Sequence, residues 1–174
     1  MVEPHVQTDE RGFFLESWQE QRFAAAGLPS RFVQDNHSRS VAGTLRGLHY
    51  QLRHPQGKLV RVVAGAVLDV AADIRRGSPT FGRWVGRTLS AENKLELYIP
   101  PGFAHGFAVL EGPADLLYKC TDYYQPADDR GVRWDDPLLS IAWPIERPVL
   151  SARDAKLPLI SPERADLPLY ERRS

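Results

Sequence analysis

The tightest constraint on the fold is the regular alternation of short apolar runs with turn motifs. Motifs such as Arg76-Gly77-Ser78-Pro79 and Pro100-Pro101-Gly102 separate runs rich in Val, Leu and aromatic residues, and their Gly and Pro residues favour turns. The runs predict strands at 32–38, 44–51, 58–64, 66–74, 83–89, 95–99, 106–110 and 115–121. About eight strands at this spacing are typical of an all-β sandwich or barrel.

The segments on either side of these strands have a different character. Residues 11–18 predict one more strand, and residues 16–26 predict a short helix, which Gly27-Leu28-Pro29 ends. Beyond residue 125, prolines are frequent and periodicity is weak, which indicates a segment wrapped over the barrel with a short helix near 151–155. We expect one domain over 1–174, with a barrel core at about 30–125 and the wrapping segment at about 126–174.

Composition excludes several classes of protein. The 22 basic and 22 acidic residues give a net charge of zero, so we expect no large basic face and no nucleic-acid partner. No apolar run approaches the roughly 20 residues of a membrane span, so no membrane partner is expected. Cys120 is the single cysteine, which rules out an internal disulfide. Residues 1–10 lack the apolar core of a secretion signal, so we expect a cytoplasmic protein.

One stretch combines two cations with a histidine. Arg46, His49 and Lys58 lie within about a dozen residues of one another, on predicted strands. Arginine suits bidentate phosphate binding, and histidine changes charge near neutral pH. Arg46 and His49 face opposite sides of a regular strand unless Gly47 bends it. The pattern favours an enzyme that takes a proton from an anionic substrate.

Ordinary structural roles also fit these residues. Arg46 could be a surface cation, Lys58 a lysine at a strand edge, and His105 a hydrogen-bonded core histidine. In the cluster 118–124, alternation places Tyr118 on one face with Cys120. A tyrosine there can act as an acid or pack in the core, and the cysteine is expected to pack.

A metal site is not expected. Metal-binding barrels of this kind carry a second histidine and a carboxylate close behind the first histidine, whereas His49 is followed by Tyr50 and Gln51. A site needs about three or four protein ligands, and nothing in the sequence requires them to converge.

Several motifs occur together in the order typical of one family. They are Asp9-Glu10-Arg11-Gly12-Phe13-Phe14, Gln34-Asp35-Asn36-His37-Ser38, Leu45–Gln51, Asp73-Ile74-Arg75 with Gly77-Ser78-Pro79-Thr80-Phe81-Gly82, 99–107, 118–124 and Leu150-Ser151-Ala152-Arg153-Asp154-Ala155. Over about 9–160 the chain resembles the dTDP-4-dehydrorhamnose 3,5-epimerases of dTDP-L-rhamnose synthesis.

The resemblance implies a fold and a reaction. The fold would be a jelly-roll barrel of the cupin type, with a few short helices, that works as a homodimer without metal or other cofactor. Its substrate would be a dTDP-linked 4-keto-6-deoxyhexose, and both carbons beside the ketone would be inverted. The reaction would convert dTDP-4-dehydro-6-deoxy-D-glucose to dTDP-4-dehydro-L-rhamnose.

The resemblance also implies roles for individual residues. His49 would be the general base, oriented by Asp154, and Tyr118 would protonate the opposite face of the sugar. Lys58 would stabilise the enolate oxygen. The implied substrate-binding residues are Arg46 and Arg153 on the diphosphate, and Arg11, Phe14, Gln34, Asn36, His105 and Tyr124 around the nucleotide and sugar, some of them reaching across the dimer.

Other functions remain open at this point. Close relatives with the same pair of histidine and aspartate invert only one carbon. A 3,4-ketoisomerase is a more distant possibility, against which Lys58, Tyr118 and Asp154 argue. A metal-dependent cupin enzyme and a non-catalytic barrel that binds a sugar nucleotide belong to different classes and are distinguishable by experiment.

Overall fold

Two long antiparallel strands form the centre of the fold in the computed structural model, which describes residues 1–161 and 163–170. Strand β5 (Lys58–Asp73) and strand β8 (Phe103–Cys120) pair from Lys58 opposite Cys120 to Asp73 opposite Phe103. The other strands are β1 (Val6–Asp9), β2 (Gly12–Leu15), β3 (Gln34–Ser40), β4 (Leu45–Gln51), β6 (Trp84–Ser90), β7 (Glu96–Ile99) and β9 (Asp129–Gly131). One α-helix, α1 (Glu20–Ala25), and two 3₁₀ helices, Pro126–Asp128 and Asp154–Lys156, complete the described elements.

The long strands each contribute to two half-sheets. Strands β3 and β7 pair with one half of the β5–β8 ribbon, and β4 and β6 pair with the other half, where β9 extends the sheet beyond β4. Irregular pairing of β5 with β8 between Val62 and Val67 separates the halves. Gly65 lies there with φ +71°, and a Cβ atom on it would be 2.3 Å from the carbonyl oxygen of Glu111. A side chain at residue 65 is therefore excluded from this bend.

The bend encloses the first hydrophobic core. Val60 and Leu116 from one half-sheet pack in the same cluster as Val67, Phe107 and other residues of the second half-sheet. Side chains from both halves thus face each other across a shared interior, as in a barrel.

Two predicted turns lie inside strands. The predicted strands 58–64 and 66–74 are one strand, and so are 106–110 and 115–121. Strands β5 and β8 pair on both sides of Gly65 and of the motif Glu111-Gly112-Pro113. These residues are therefore sites of irregular pairing within long strands, and the chain does not turn back at them. The prediction of separate strands was wrong at these two places, since a bulge and a turn use the same residue types.

A second core lies between one half-sheet and the C-terminal segment. Val70 and Leu48 from the sheet pack against Val132, Ile160 and further residues that follow β9. Leu167, only 1% exposed, belongs to the same cluster. The chain beyond β9 therefore lies over the barrel along the described residues.

The N-terminal elements differ from the prediction of one strand at 11–18. Strands β1 and β2 form a separate two-stranded sheet, and Phe14 on β2 is 67% exposed. Helix α1 is shorter than the predicted 16–26 and starts after Gln19, whose side chain accepts a hydrogen bond from the backbone N–H of Arg22. No helix in the described part of the chain is long and apolar enough to cross a membrane.

Candidate active site

A cavity of about 170 Å³ lies in the interior that the two half-sheets share. Its lining includes five residues proposed from the sequence, namely Arg46, His49, Lys58, His105 and Tyr118. They come from β4, β5 and β8, so residues far apart in the chain meet around one space. Ser38, Gly106, Phe107 and Leu116 complete the lining.

His49, which is partly exposed in the cavity lining, pairs with the buried Asp154. Nε2 of His49 lies 2.7 Å from Oδ1 of Asp154, whose side chain is 5% exposed. Burial alone would raise the pKa of Asp154, but the hydrogen bond from His49, helped by the N–H of Gly47 and by Ser151, holds the pKa below its ordinary value. Asp154 is therefore a carboxylate near neutral pH, and it can only accept. The proton of the bond lies on Nε2, and Nδ1 of His49 is left free to take a proton.

A bend in β4 places Arg46 and His49 on the same cavity. The pairing of β4 with β8 shifts between these two residues. Gly47 has φ +111°, and a Cβ atom on it would lie 2.7 Å from both Cα of Gly106 and the carbonyl oxygen of His105. Glycine is required there because the backbones of β4 and β8 approach so closely. Regular alternation would have turned one of the two side chains away.

Lys58 and Tyr118 are free to meet a ligand. Neither side chain hydrogen-bonds to any residue in 1–161 or 163–170, and Nζ of Lys58 lies 5.9 Å from the centre of the Tyr118 ring. Burial lowers the pKa of Lys58, against the opposing effect of nearby acidic groups such as Cys120. Burial also raises the pKa of Tyr118 above its ordinary value of 10.0, which keeps the hydroxyl protonated.

A second histidine–aspartate pair includes His105, which lines the same cavity. Nε2 of His105 lies 2.8 Å from Oδ2 of Asp69. His105 is directly opposite His49 in the pairing of β4 with β8. The sequence prediction missed Asp69, although an aspartate in the apolar run Val67-Leu68-Asp69-Val70 is a usable signal, because a buried charge needs a partner.

Four of the proposed substrate-binding residues form a connected group of polar contacts outside the lining of this cavity. Asp129 accepts from the hydroxyl of Tyr124 at 2.9 Å and pairs with Arg153 at 2.7 Å. Gln34 accepts from the backbone N–H of Tyr124 and donates to Asn36. Burial would raise the pKa of Asp129, but the bonds from Arg153 and Tyr124 lower it below its ordinary value. Asp129 was not predicted, since it stands in no motif.

Arg11 and Phe14 lie away from the cavity within one chain. They belong to the β1–β2 hairpin, where the side chain of Arg11 is 85% exposed and pairs with Asp9. Phe14 is 67% exposed. The lining of the cavity includes neither residue, so a single protomer does not bring them to it.

Among residues 1–161 and 163–170, no group of three or more His, Cys, Asp or Glu side chains is placed to hold a metal ion.

The architecture and the site define the class of protein. Half-sheets folded over a shared interior form a cupin-type jelly roll, as predicted, and the protein is an enzyme of that class. It belongs to the dTDP-4-dehydrorhamnose 3,5-epimerase family, whose model matches residues 1–161. The family predicted from the sequence motifs is thereby confirmed.

Three relatives illustrate the similarity. The dTDP-4-dehydrorhamnose 3,5-epimerase of Pseudomonas aeruginosa is 58% identical over 156 residues, which cover 88% of this chain and 86% of the relative. The crystal structure of a dTDP-6-deoxy-D-glucose-3,5-epimerase from Legionella pneumophila, in complex with dTDP-4-keto-L-rhamnose, matches with a TM-score of 0.94 and 55% identity, over 97% of this chain and 92% of that chain. A dTDP-4-dehydrorhamnose 3-epimerase of Streptomyces niveus is 41% identical, over 94% of this chain and 80% of the relative.

Proposed function

We propose that the protein epimerises dTDP-4-dehydro-6-deoxy-D-glucose at both carbons beside the ketone, giving dTDP-4-dehydro-L-rhamnose. The observation that carries the proposal is the His49–Asp154 pair, 2.7 Å apart, on one cavity with Lys58 and Tyr118. Membership of the epimerase family supports the choice of substrate. The barrel and the segment that follows it act as one domain, and the proposed location of the protein is the cytoplasm.

Proton abstraction is assigned to His49. A C–H bond beside a ketone is a weak acid, so the base must act while the developing oxyanion is stabilised. Nδ1 of His49 takes the proton, and Asp154 stabilises the imidazolium that results. The Lys58 ammonium, which has no hydrogen-bond partner among the described residues, donates to the enolate oxygen. Its effect is larger in a cavity poor in water than in bulk solvent.

Proton delivery is assigned to Tyr118. Inversion requires that the new proton arrive on the face opposite to the base. His49 and Tyr118 line the cavity from different halves of the barrel, because β4 pairs with the first part of β8 and Tyr118 lies in the last part. The raised pKa of Tyr118 keeps its proton available until the enolate forms.

Binding of the nucleotide is assigned to the edge of the site. Arg46 and Arg153 hold the diphosphate, and Arg153 already carries a directed ion pair to Asp129. Gln34, Asn36, His105 and Tyr124 contact the sugar and the base. Arg11 and Phe14 act from the second copy in a homodimer, since their hairpin is exposed and lies away from the cavity of its own chain.

Hydrogen exchange in D₂O tests the reaction. The protein is incubated with dTDP-4-dehydro-6-deoxy-D-glucose, and the sugar is followed by NMR. Deuterium at both carbons beside the ketone, with formation of the L-rhamno sugar, is the expected result. The His49→Ala variant serves as the matched control and should show no exchange above background.

The remaining outcomes identify the alternatives. Deuterium at one carbon only would assign a mono-epimerase, the activity named for the Streptomyces niveus relative. Binding of dTDP without any exchange would indicate a non-catalytic barrel. Activity that depends on stoichiometric Fe, Mn or Zn in elemental analysis would contradict the proposed chemistry.

A further inference from the structure

The His105–Asp69 pair is more deeply buried than the His49–Asp154 pair. The side chains of His105 and Asp69 are 8% and 0% exposed, and their atoms Nε2 and Oδ2 are 2.8 Å apart. Asp69 lies two residues before Ala71, which is the partner of His105 in the pairing of β5 with β8. This diagonal position across neighbouring strands lets the two side chains meet.

Among the described residues, the Asp69 side chain hydrogen-bonds only to His105, and its charge also raises the pKa of Lys58 against the effect of burial. Oδ1 of Asp69 is buried and has no hydrogen-bond partner among the described residues. A buried carboxylate with an unsatisfied oxygen is destabilising. An apolar residue would cost less at this position, since buried ion pairs can often be replaced by apolar side chains without loss of stability.

The pair fixes which nitrogen of His105 meets a ligand. As a carboxylate, Asp69 can only accept, so Nε2 of His105 carries the proton. Within the described residues, Nδ1 of His105 has no hydrogen-bond partner, although His105 lines the cavity. Nδ1 is therefore presented as an acceptor, which suits a hydroxyl group of a sugar.

We propose that Asp69 is a positioning residue: it fixes the tautomer and the ring orientation of His105 so that Nδ1 accepts a hydrogen bond from a sugar hydroxyl. The proposal rests on the proposed epimerase function for the identity of the ligand. It assigns to Asp69 no contact with the substrate, since Asp69 is not among the residues that line the cavity. The two histidines then have different tasks on one cavity, His49 as base and His105 as a fixed acceptor.

The Asp69→Asn variant tests the role in catalysis. Asparagine has the same shape, but its amide can donate to Nε2 as well as accept from it, so the tautomer is no longer fixed. We expect kcat/KM to fall about 10- to 100-fold, by analogy with the loss of a partner that orients a metal-bound histidine. The matched control is Asp115→Asn, which removes the carboxylate from the pair of His37 and Asp115, 3.2 Å apart and outside the cavity lining. It should leave kcat/KM close to the wild-type value, since neither His37 nor Asp115 lines the cavity.

A double-mutant cycle separates positioning from a structural role. If Asp69 acts through His105, adding Asp69→Asn to His105→Gln should cost little beyond His105→Gln alone. An equal loss in both backgrounds, or unchanged kcat/KM in Asp69→Asn, would overturn the proposal.

The ¹⁵N NMR spectrum of His105 in the wild-type protein without ligand provides a test that does not depend on activity. The expected spectrum shows the proton on Nε2, and in a folded Asp69→Asn variant both tautomers. A wild-type spectrum with the proton on Nδ1 would overturn the proposal even if the epimerase reaction is established. Failure of the D₂O experiment would instead remove the proposed reaction and leave the tautomer assignment standing.

Discussion

His49 and Asp154 are separated by 105 positions in the chain, and their side chains meet at 2.7 Å. The contact depends on the C-terminal segment, which docks beside the start of β4. The backbone N–H of Leu45 donates to the carbonyl of Val149, and the N–H of Val149 donates to the carbonyl of Gly43. Residue 149 is thereby fixed next to β4, and the 3₁₀ helix that follows brings Asp154 under the imidazole.

Asp154→Asn should reduce kcat far more than it raises KM. Without the carboxylate, the imidazolium formed by proton abstraction loses its stabilising partner and the tautomer is no longer fixed. By comparison with other histidine–aspartate pairs, a loss of about 10³- to 10⁴-fold in kcat is expected. Steady-state kinetics and deuterium exchange measure it. Asp135→Asn removes a carboxylate from an exposed ion pair with Arg133 and should have no such effect; a loss below tenfold in Asp154→Asn would contradict the role.

Tyr118→Phe should separate exchange from inversion. His49 would still remove a proton and could return a deuteron to the same face, so deuterium should enter the starting sugar. Delivery to the opposite face should fall by about 10²- to 10⁴-fold, the range for a general acid. NMR distinguishes labelled starting sugar from the inverted product.

The control for this variant is Tyr123→Phe. Tyr123 is 57% exposed and lies outside the cavity lining, so its loss should leave both processes unchanged. Equal losses of exchange and inversion in Tyr118→Phe would show that Tyr118 is not a dedicated acid.

The location of part of the site was accessible from the sequence, and the rest required the three-dimensional pairing. The short distance along the chain between Arg46, His49 and Lys58 indicated a site. Their common orientation depends on the bend at Gly47, where only glycine fits because the backbone of β8 approaches so closely. Asp69 and Asp129 stand in no motif, and their significance follows only from their partners across the sheet.

The errors in the fold prediction have a related cause. Gly65 and Gly112 with Pro113 have the local chemistry of turns, and local chemistry alone cannot distinguish a turn from a bulge. Strands β5 and β8 continue past these residues because they pair with each other, although they are far apart in the sequence. Such long-range pairing depends on the whole barrel and cannot be predicted from a few neighbouring residues.

Mixing of inactive variants tests whether Arg11 and Phe14 act across a dimer. A variant with Arg11→Ala and Phe14→Ala keeps its own cavity but lacks the hairpin side chains, whereas His49→Ala keeps the hairpin. If the hairpin serves the partner, each mixed dimer has one complete site. Unfolding the two variants together and refolding them should restore about a quarter of wild-type activity, since half of randomly assembled dimers are mixed.

The matched control for mixing is His49→Ala with Lys58→Ala. Both residues line the cavity of their own chain, so no mixed dimer contains a complete site and no activity should return. Recovery of activity in the first mixture alone would show that the two chains share a site in a dimer. Sedimentation velocity should detect this dimer independently. If mixed dimers form but activity does not return, the prediction is wrong. The hairpin would then act within its own chain or would not take part in the site.

Glu96 should make stability fall as pH rises through neutrality. The side chain is 1% exposed, and neither carboxyl oxygen has a hydrogen-bond partner among the described residues. Burial raises the pKa of Glu96 from its ordinary value of 4.5 to about 7, although the charges of Arg61 and Lys119 oppose the shift. Because the folded-state pKa is the higher one, the stabilising contribution is complete below pH 4.5 and is lost as pH rises through about 7.

The variant Glu96→Gln isolates this contribution from other titrating groups. Wild type should lose roughly 3 kcal/mol of unfolding free energy relative to Glu96→Gln between pH 4.5 and pH 8, which is the free-energy equivalent of the difference between the two pKa values. Urea unfolding of both proteins at several pH values measures the difference. Glu92→Gln, at an exposed position, should run parallel to wild type at every pH. A constant difference between wild type and Glu96→Gln would contradict the prediction, since it would mean that Glu96 does not titrate between pH 4.5 and pH 8. Compensation of its burial by Arg61, whose Nη1 lies 4.0 Å from the carboxyl group, would then be the explanation.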